Sequence, residues 1–367
     1  MTSTETLALL LRPAGGGVHH VSSGLEAQRA LLRRLYDARS DAEVVGRWRG
    51  DLERARSARA VLLGIPSDVG GGLQRGASLA PAAVRARLLQ DHGQRLERAR
   101  AAGLVDLGDV FCVPQLLEDE MLSDRQLEAT RRALYPDLAE EARRDLPVSP
   151  LTIAERALSL VLAENPGAAV VALGGDHSTA LPVVRALSRV RPTMGIVQVD
   201  AHTDLLPARL GVRHCFGTWA YHANELLGRD GRLVQVGIRA SAHGREHWEA
   251  EEGVSQLWAD EVRRDPSAAL DAVVARLRAA KVTRAYFSND IDGTDPAFAD
   301  ATGTPEPGGL EPGFVRALLS RVREEVGLCG GDVMEVAPLV ERSPGAGART
   351  VALSATYLLE TIEAALT

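Results

Sequence analysis

From about residue 152 onward, short apolar runs alternate with stretches in which apolar residues recur at helical spacing. The runs are rich in β-branched side chains and the helical stretches are about 10 to 15 residues long, which is typical of a parallel sheet covered on both faces. The pattern predicts an α/β fold with a mostly parallel sheet. The predicted strands are 60–66, 104–110, 169–173, 195–199, 233–236, 284–288 and 331–338, and the main predicted helices begin near 81 and 180 or cover 152–164, 270–280, 312–325 and 351–365.

Two segments stand apart from this alternation. Residues 1–58 have a glycine break at 15–17 and then an Arg-rich helical pattern, which predicts an N-terminal extension of one or two helices packed on the outside. The main domain then covers 59–367, with an insertion at about 113–150. The insertion has a charged helical pattern typical of a solvated face, and its tip is a candidate lid or oligomer contact.

Charge and cysteine content narrow the class of protein. The net charge of -7 argues against a nucleic-acid partner, which usually leaves a basic footprint. The three cysteines form no C-x-x-C pair, so we expect neither a disulfide framework nor a thiolate zinc site, as is typical of a reducing cytoplasm. No signal-peptide pattern and no run of roughly 20 apolar residues is present, so we expect a soluble, cytoplasmic protein with no membrane partner.

A glycine-rich loop at 70–76 lies between the first predicted strand and a helix that Pro81 opens. This order resembles a phosphate-binding loop. Neither G-x-G-x-x-G nor G-x-x-x-x-G-K-[ST] is present, however, so we do not predict a nucleotide site.

The strand at 195–199 ends in an acidic motif. Because side chains alternate along a strand, Asp200, His202 and Asp204 are expected on one face. Two carboxylates and an imidazole at the end of a buried apolar run need a partner, and a cation is the simplest one. A loop that merely happens to be acidic is the alternative for this motif alone.

Two other strand ends carry side chains of the same kind. One follows the strand at 169–173, and the other ends the strand at 284–288. The carboxyl ends of parallel strands meet at one edge of the sheet, where ligands bind. Six ligands without a cysteine exceed what one tetrahedral zinc needs, and favour two octahedral cations about 3.5 to 4 Å apart with a hydroxide between them. The predicted metal ligands are His177, Asp200, His202, Asp204, Asp290 and Asp292.

Several motifs together resemble those of the arginase/agmatinase (ureohydrolase) family, and most closely its agmatinase-type members. The resemblance covers roughly residues 60–110 and 150–365 in the family's order. The motifs that carry it are GGDHS at 174–178, DAHTD at 200–204, SNDIDGTDP at 288–296, ATGTPEPGGL at 301–310 and DVMEVAP at 332–338.

The resemblance implies a three-layer α/β/α fold, a trimer or hexamer, and two Mn²⁺ ions per subunit, with Ni²⁺ or another divalent ion as the alternative. The bridging hydroxide would attack the carbon of a guanidinium and release urea and an amine. Glu335 would bind the guanidinium, and Asp204 would accept a hydrogen bond from the hydroxide. Thr304 would shape the guanidinium pocket, unless it is only a turn residue in a Gly/Pro loop. One metal would be held by His177, Asp200, Asp204 and Asp290, and the other by Asp200, His202, Asp290 and Asp292.

Two positions depart from the family pattern. Relatives carry a histidine directly before the glycine of the loop after the second motif, where it transfers a proton to the leaving amine, but here Phe216 precedes Gly217. His214, two residues earlier, is the candidate replacement, and His222 is a weaker one. Asn289 replaces an apolar residue and is expected to point away from the metals.

These departures leave the substrate open. The motifs favour a guanidine without an α-amino acid head: agmatine, guanidinobutyrate, another guanidino acid or guanidine itself. Two other functions are consistent with the sequence. One is hydrolysis of a formimino or other amidine C–N bond, and the other is a catalytically silent subunit that keeps its metals.

Overall fold

A nine-stranded sheet runs through the middle of the protein, and every strand except the first is parallel to its neighbours. The computed structural model describes residues 1–367. The strands are β1 (Leu11–Arg12), β2 (Ala60–Ile65), β3 (Leu104–Val110), β4 (Ala169–Gly174), β5 (Met194–Val199), β6 (Leu233–Ile238), β7 (Ser255–Trp258), β8 (Arg284–Asp290) and β9 (Leu328–Met334). Their order in the sheet is β1-β3-β2-β4-β9-β8-β5-β6-β7.

Fourteen helices surround the sheet, and four of them carry a proline in the first turn (Pro81, Pro150, Pro266 and Pro312), where its missing N–H breaks no helical hydrogen bond. None of the helices is both long and apolar enough to cross a membrane. The helices are α1 (Ser3–Leu10), α2 (Leu25–Leu35), α3 (Asp41–Arg54), α4 (Ala80–Ala101), α5 (Asp124–Leu134), α6 (Glu140–Arg143), α7 (Pro150–Glu164), α8 (Ala180–Val190), α9 (Trp219–Leu227), α10 (Arg245–Glu252), α11 (Ala259–Arg264), α12 (Pro266–Ala279), α13 (Pro312–Glu325) and α14 (Ala346–Ala365).

The hydrophobic core is divided between the two faces of the sheet. One cluster of 44 buried residues packs α1, α3, α7, α8 and α9 against one face, and a second of 42 packs α4, α11, α12, α13 and α14 against the other. Strands β2, β4, β5 and β6 are buried at every position. Burial on both faces explains why β2 and β4 appear in the sequence as continuous apolar runs, and why β5 and β6 are apolar except for one glutamine each. The three-layer α/β/α arrangement predicted from the sequence is confirmed.

The N-terminal extension joins the sheet. Strand β1 pairs antiparallel with β3, and Leu7 and Leu10 of α1 are part of the core. The helical stretch after the glycine break forms two helices, α2 and α3, in agreement with the one or two predicted, and α1 before the break was not predicted. A two-residue strand is too short to produce a recognisable period, so the sequence pattern could not reveal β1.

A buried ion-pair network fastens this extension to the sheet. The Arg85 guanidinium on α4 donates two hydrogen bonds of 2.9 Å to Asp106 and a third to Asp109, both on β3. Asp109 also accepts the backbone N–H groups of Gly15 at 2.8 Å and Gly17 at 3.3 Å. Arg85 and Asp109 are buried, so each charge depends on the other for compensation.

Arg85→Met should therefore lower the free energy of unfolding by about 3 to 5 kcal/mol, because it leaves a buried carboxylate uncompensated. Equilibrium urea denaturation measures this change. Arg87→Met is the matched control, since Arg87 forms an ion pair with Asp91 at the surface of the same helix. We expect the control to change the free energy of unfolding by at most about 1 kcal/mol. Equal effects of the two substitutions would contradict the prediction.

Candidate metal centre

Four neighbouring strands in the middle of the sheet end in polar side chains. Strands β4, β9, β8 and β5 are adjacent and parallel, so their carboxyl ends meet at one edge. A 3-10 turn after β4 carries His177, and β8 ends at Asp290. The structure thus brings together all six predicted metal ligands and Glu335, which follows β9.

The first group of ligands surrounds His177. Its Nδ1 lies 2.9 Å from Asp290 Oδ2, 3.2 Å from Asp200 Oδ2 and 3.5 Å from Asp204 Oδ2. All four side chains are buried. Nδ1 makes no hydrogen bond by the usual geometric criteria, although it is fully enclosed.

The second group surrounds His202 and shares Asp200 with the first. His202 Nδ1 lies 3.1 Å from Asp292 Oδ2 and 3.6 Å from Asp200 Oδ1. One oxygen of Asp200 therefore faces each imidazole. A carboxylate in this position can bridge two cations, one on each side.

The hydrogen bonds of His177 determine which of its nitrogens carries the proton. Its Nε2 lies 3.0 Å from Ser288 Oγ, and that hydroxyl lies 2.9 and 3.0 Å from the two carboxylate oxygens of Asp332. A serine hydroxyl has a single hydrogen, and a carboxylate can only accept it, so Ser288 must accept from Nε2–H of His177. The lone pair of Nδ1 then points into the carboxylate group, which is the tautomer that a metal ligand requires.

The electrostatics of the cluster fit a pair of cations. Burial, followed by repulsion from Asp292 and Asp200, raises the pKa of Asp290 well above its ordinary value. Burial, and then the Asp200 charge, also raise the pKa of Asp204 well above its ordinary value. Burial lowers the pKa of His202, but Asp292 and Asp200 outweigh it and raise that pKa to about 12. Burial and neighbouring charges thus oppose ionisation of Asp290 and Asp204, and divalent cations would favour their charged forms.

Two site residues have a left-handed backbone, which is rare outside glycine: Asp204 has a φ of 53° and Glu335 a φ of 61°. Their surroundings hold them there. Asp204 Oδ2 accepts the indole N–H of Trp219 at 3.0 Å. Glu335 donates its backbone N–H to Gly175 at 2.9 Å and accepts the His177 N–H through Oε1 at 2.9 Å.

The second carboxylate oxygen of Glu335 lies near the loop that carries Thr304. Oε2 lies 3.8 Å from where a Cβ on Gly303 would stand, next to the Thr304 loop. Thr304 Oγ1 donates to Asp292 Oδ2 at 3.1 Å, so this residue contacts the ligand cluster directly. Burial, and then the nearby Asp176, raise the pKa of Glu335 well above its ordinary value. A planar cation such as a guanidinium would stabilise its charged form.

Phe216 borders the turn that carries His177. Its backbone N–H donates to Gly70 at 3.0 Å, and its ring lies 3.4 Å from where a Cβ on Gly72 would stand. A Cβ on Gly70 would in turn stand 2.5 Å from Ser178 Oγ, one residue after His177. The partly exposed ring thus lies at the edge of the site.

His214 lies in a different cluster and makes no hydrogen bond to any of the six ligands. Its Nδ1 is bonded to Glu118 of the insertion, and its Nε2 lies 3.0 Å from Arg185 Nη2 on α8. Arginine can only donate, so Nε2 is the acceptor and Nδ1 carries the proton. Both ring nitrogens are therefore engaged. The other candidate, His222, bonds the Arg213 carbonyl at 3.0 Å and packs edge-on against His214.

The sequence did not predict several side chains that hold the metal ligands in place. Trp219 stacks on the His177 ring with centroids 4.4 Å apart, besides holding Asp204. Ser288 lies two residues before Asp290, so strand alternation was the signal that would have put its hydroxyl on the ligand face. Nothing comparable in the sequence pointed to Trp219, because its contact depends on how α9 packs.

The fold and this cluster define a metal-binding α/β/α hydrolase, and comparison with known proteins agrees. The arginase family profile matches residues 58–362. The guanidinobutyrase of Pseudomonas aeruginosa is 31% identical over 290 residues, which cover 76% of this chain and 79% of that protein. The proclavaminate amidinohydrolase of Streptomyces clavuligerus is 31% identical over 299 residues, covering 78% and 82% respectively. A solved structure of that amidinohydrolase superimposes with a TM-score of 0.65 at 28% identity, over 84% of this chain and 92% of the other.

The chain therefore belongs to the arginase family, as its motifs predicted. It is a hydrolase of the amidinohydrolase, or ureohydrolase, class.

His214→Ala should change the hydrolase rate less than tenfold, because both nitrogens of the ring are already bonded within the Glu118–Arg185 cluster. It should lower the free energy of unfolding by about 1 to 3 kcal/mol, since it leaves buried polar groups without a partner. Steady-state kinetics and urea denaturation measure the two effects, with His222→Ala as the matched control. A fall in rate of roughly 10² to 10⁴ at unchanged metal content would instead assign proton transfer to His214.

Proposed function

We propose that the protein hydrolyses a guanidino compound to urea and an amine at a centre of two divalent cations. Mn²⁺ is the first candidate, and Ni²⁺ or another divalent ion is the alternative. The observation that carries the proposal is Asp200, whose two oxygens face two separate groups of ligands. A single cation would need only one of these groups.

The proposed ligand sets follow these groups. His177, Asp200, Asp204 and Asp290 hold the first cation, supported by the distances of 2.9 to 3.5 Å around His177 Nδ1. Asp200, His202, Asp290 and Asp292 hold the second. When bound, the two cations supply a water molecule that is activated for attack at neutral pH.

The remaining roles belong to residues around this centre. Glu335 binds the guanidinium through parallel hydrogen bonds and so orients the carbon toward the attacking water. Asp204 is held by Trp219 through Oδ2, and its other oxygen accepts a hydrogen bond from that water. Thr304 keeps Asp292 oriented through its hydroxyl and borders the guanidinium pocket.

We also propose a homo-oligomer, a trimer or hexamer, in which residues 1–58 extend the main domain at 59–367. The family match at 58–362 supports this division. Sedimentation measures the size of the assembly directly.

A urea-release assay tests the function. Protein stripped with a chelator and reloaded with Mn²⁺ is offered guanidinobutyrate, agmatine, arginine, guanidine and a formimino compound. We expect urea from at least one guanidino substrate with Mn²⁺ and none from the stripped protein. No turnover of any of these compounds by fully loaded protein would overturn the proposal.

Two variants separate the roles within the same assay. Asp290→Asn should lose bound metal, because it removes a shared ligand. Glu335→Gln should keep both ions. It should lower kcat/KM roughly 10- to 100-fold, because it removes the charge from a hydrogen bond to the guanidinium. Metal analysis of each variant distinguishes the two effects.

Within this class we propose a guanidino acid as the substrate. Arg209 lies with Cζ 4.9 Å from the centroid of the Phe216 ring, at the site edge, and its side chain is exposed. No carboxylate of the protein pairs with it, whereas nearby Arg213 lies 3.6 Å from Glu120. A free guanidinium in this position suits the carboxylate at the far end of a guanidino acid. The similarity to a guanidinobutyrase supports the same class.

Arg209→Ala should raise KM for guanidinobutyrate about tenfold or more, since it removes a charge-assisted hydrogen bond to the substrate carboxylate. It should leave KM for agmatine, which has no carboxylate, nearly unchanged. Arg213→Ala is the matched control and should affect neither. An equal change for both substrates would argue against Arg209 as the carboxylate partner.

A further inference from the structure

A row of buried polar side chains crosses five strands of the sheet, one level below the metal centre. Its members are paired in register from strand to strand. Each is fully buried, with no exposed surface. Two of its members, Gln198 and Ser288, precede Asp200 and Asp290 by two residues and share a face with them. The row consists of Gln256 on β7, Gln235 on β6, Gln198 on β5, Ser288 on β8 and Asp332 on β9.

Three of these residues form a continuous chain of hydrogen bonds, which we call the glutamine ladder (Gln256, Gln235 and Gln198). Gln256 Nε2 donates to Gln235 Oε1 at 2.8 Å, and Gln235 Nε2 donates to Gln198 Oε1 at 2.8 Å. Gln198 Nε2 then donates to Asp200 Oδ2 at 2.7 Å. At the other end, the indole N–H of Trp258 donates to Gln256 Oε1 at 2.9 Å.

Chemistry at both ends determines the direction of the ladder. The indole N–H of Trp258 can only donate, and the ionised carboxylate of Asp200 can only accept. If any one amide were reversed, two N–H groups or two oxygens would face each other. In all three amides the Nε2 group must therefore be on the side nearer to Asp200.

The ladder is costly unless it is complete. A buried amide group without a partner costs about 1 to 3 kcal/mol, whereas an apolar side chain at the same place costs nothing of this kind. No nitrogen or oxygen of the three glutamine side chains lacks a partner. Gln235 Nε2 even uses its second hydrogen, donating to the Thr203 carbonyl at 2.6 Å. Outside the ladder, its amides therefore donate to two acceptors, the Thr203 carbonyl and the Asp200 carboxylate.

We propose that the glutamine ladder is a positioning device for Asp200, the carboxylate that faces both ligand groups. The inference rests on the proposed two-cation centre. Gln198 occupies one lone pair of Oδ2, while the His202 backbone N–H holds Oδ1 at 2.7 Å. With both oxygens held, the carboxylate cannot rotate, and one oxygen stays directed at each cation position. Gln235 and Gln256 act through Gln198 and are positioning residues only.

Mn²⁺ affinity tests the ladder without reference to activity. The free ion gives an electron paramagnetic resonance signal that bound ions lose, so titration of the stripped, full-length protein gives dissociation constants. Gln198→Met keeps the length of the side chain but cannot donate a hydrogen bond. It should weaken Mn²⁺ binding about 10- to 100-fold, as is typical when a residue that hydrogen-bonds to a metal ligand is lost. Gln256→Met, two strands away, should weaken it by a smaller factor.

A double-mutant cycle tests whether the residues act in series. If Gln256 acts only through Gln198, Gln256→Met should have no further effect on Mn²⁺ affinity in the Gln198→Met background. Val234→Ala is the matched control, because Val234 is a buried β6 residue that packs on the opposite face from Gln235. It should lower the melting temperature and leave the Mn²⁺ affinity unchanged.

Each outcome decides the proposal. Wild-type affinity in a folded Gln198→Met protein would overturn it, as would an effect of Gln256→Met that persists in the double variant. If Gln198→Met does not fold, Gln256→Met at the end of the ladder decides instead. Unchanged Mn²⁺ affinity in that variant would contradict the proposal that Gln256 acts on Asp200 through Gln198. Wild-type protein that binds no divalent cation would overturn the two-cation centre itself, and the ladder's role with it.

Discussion

Repulsion among buried carboxylates at one edge of the sheet is the constraint on which the rest of this structure depends. Four adjacent parallel strands end at the same edge, and the ends of β4, β5 and β8 carry four aspartates around two imidazoles. Burial, and then repulsion from neighbouring carboxylates, raises the pKa of Asp204 and Asp290, so the charged forms of these two residues are costly without cations. The strained backbone at Asp204 and Glu335 persists because neighbouring groups hold both residues firmly.

The sheet carries its support for this cluster in the row directly beneath it. On one side, Ser288 and Asp332 select the tautomer of His177. On the other side, the glutamine ladder ends on Asp200. A polar row is unusual in a sheet buried on both faces, and here it lies at the level where apolar strands meet a charged site. One imidazole and one carboxylate of the site are thereby oriented by side chains on strands rather than on loops.

In the loop after β5, Phe216 and His214 differ in position from the single histidine of the family motif. Phe216 holds the place at the site edge where the family motif has a histidine, and Arg209 covers its ring. His214 instead joins Glu118 of the insertion to Arg185 of α8. The imidazole that the motif led us to expect near the metals thus links the insertion to the core.

Local rules explain what the sequence by itself determined. The strands, the three-layer fold and the convergence of the ligands follow from a side-chain period of two and from the common edge of parallel strands. Strand β1, the position of His214 and the glutamine ladder were decided only by the tertiary structure. Each depends on which distant segments become neighbours and in what register, and no periodicity within a segment carries that information. Gln198, Gln235 and Gln256 are unremarkable along the chain and form a single path only once three strands align.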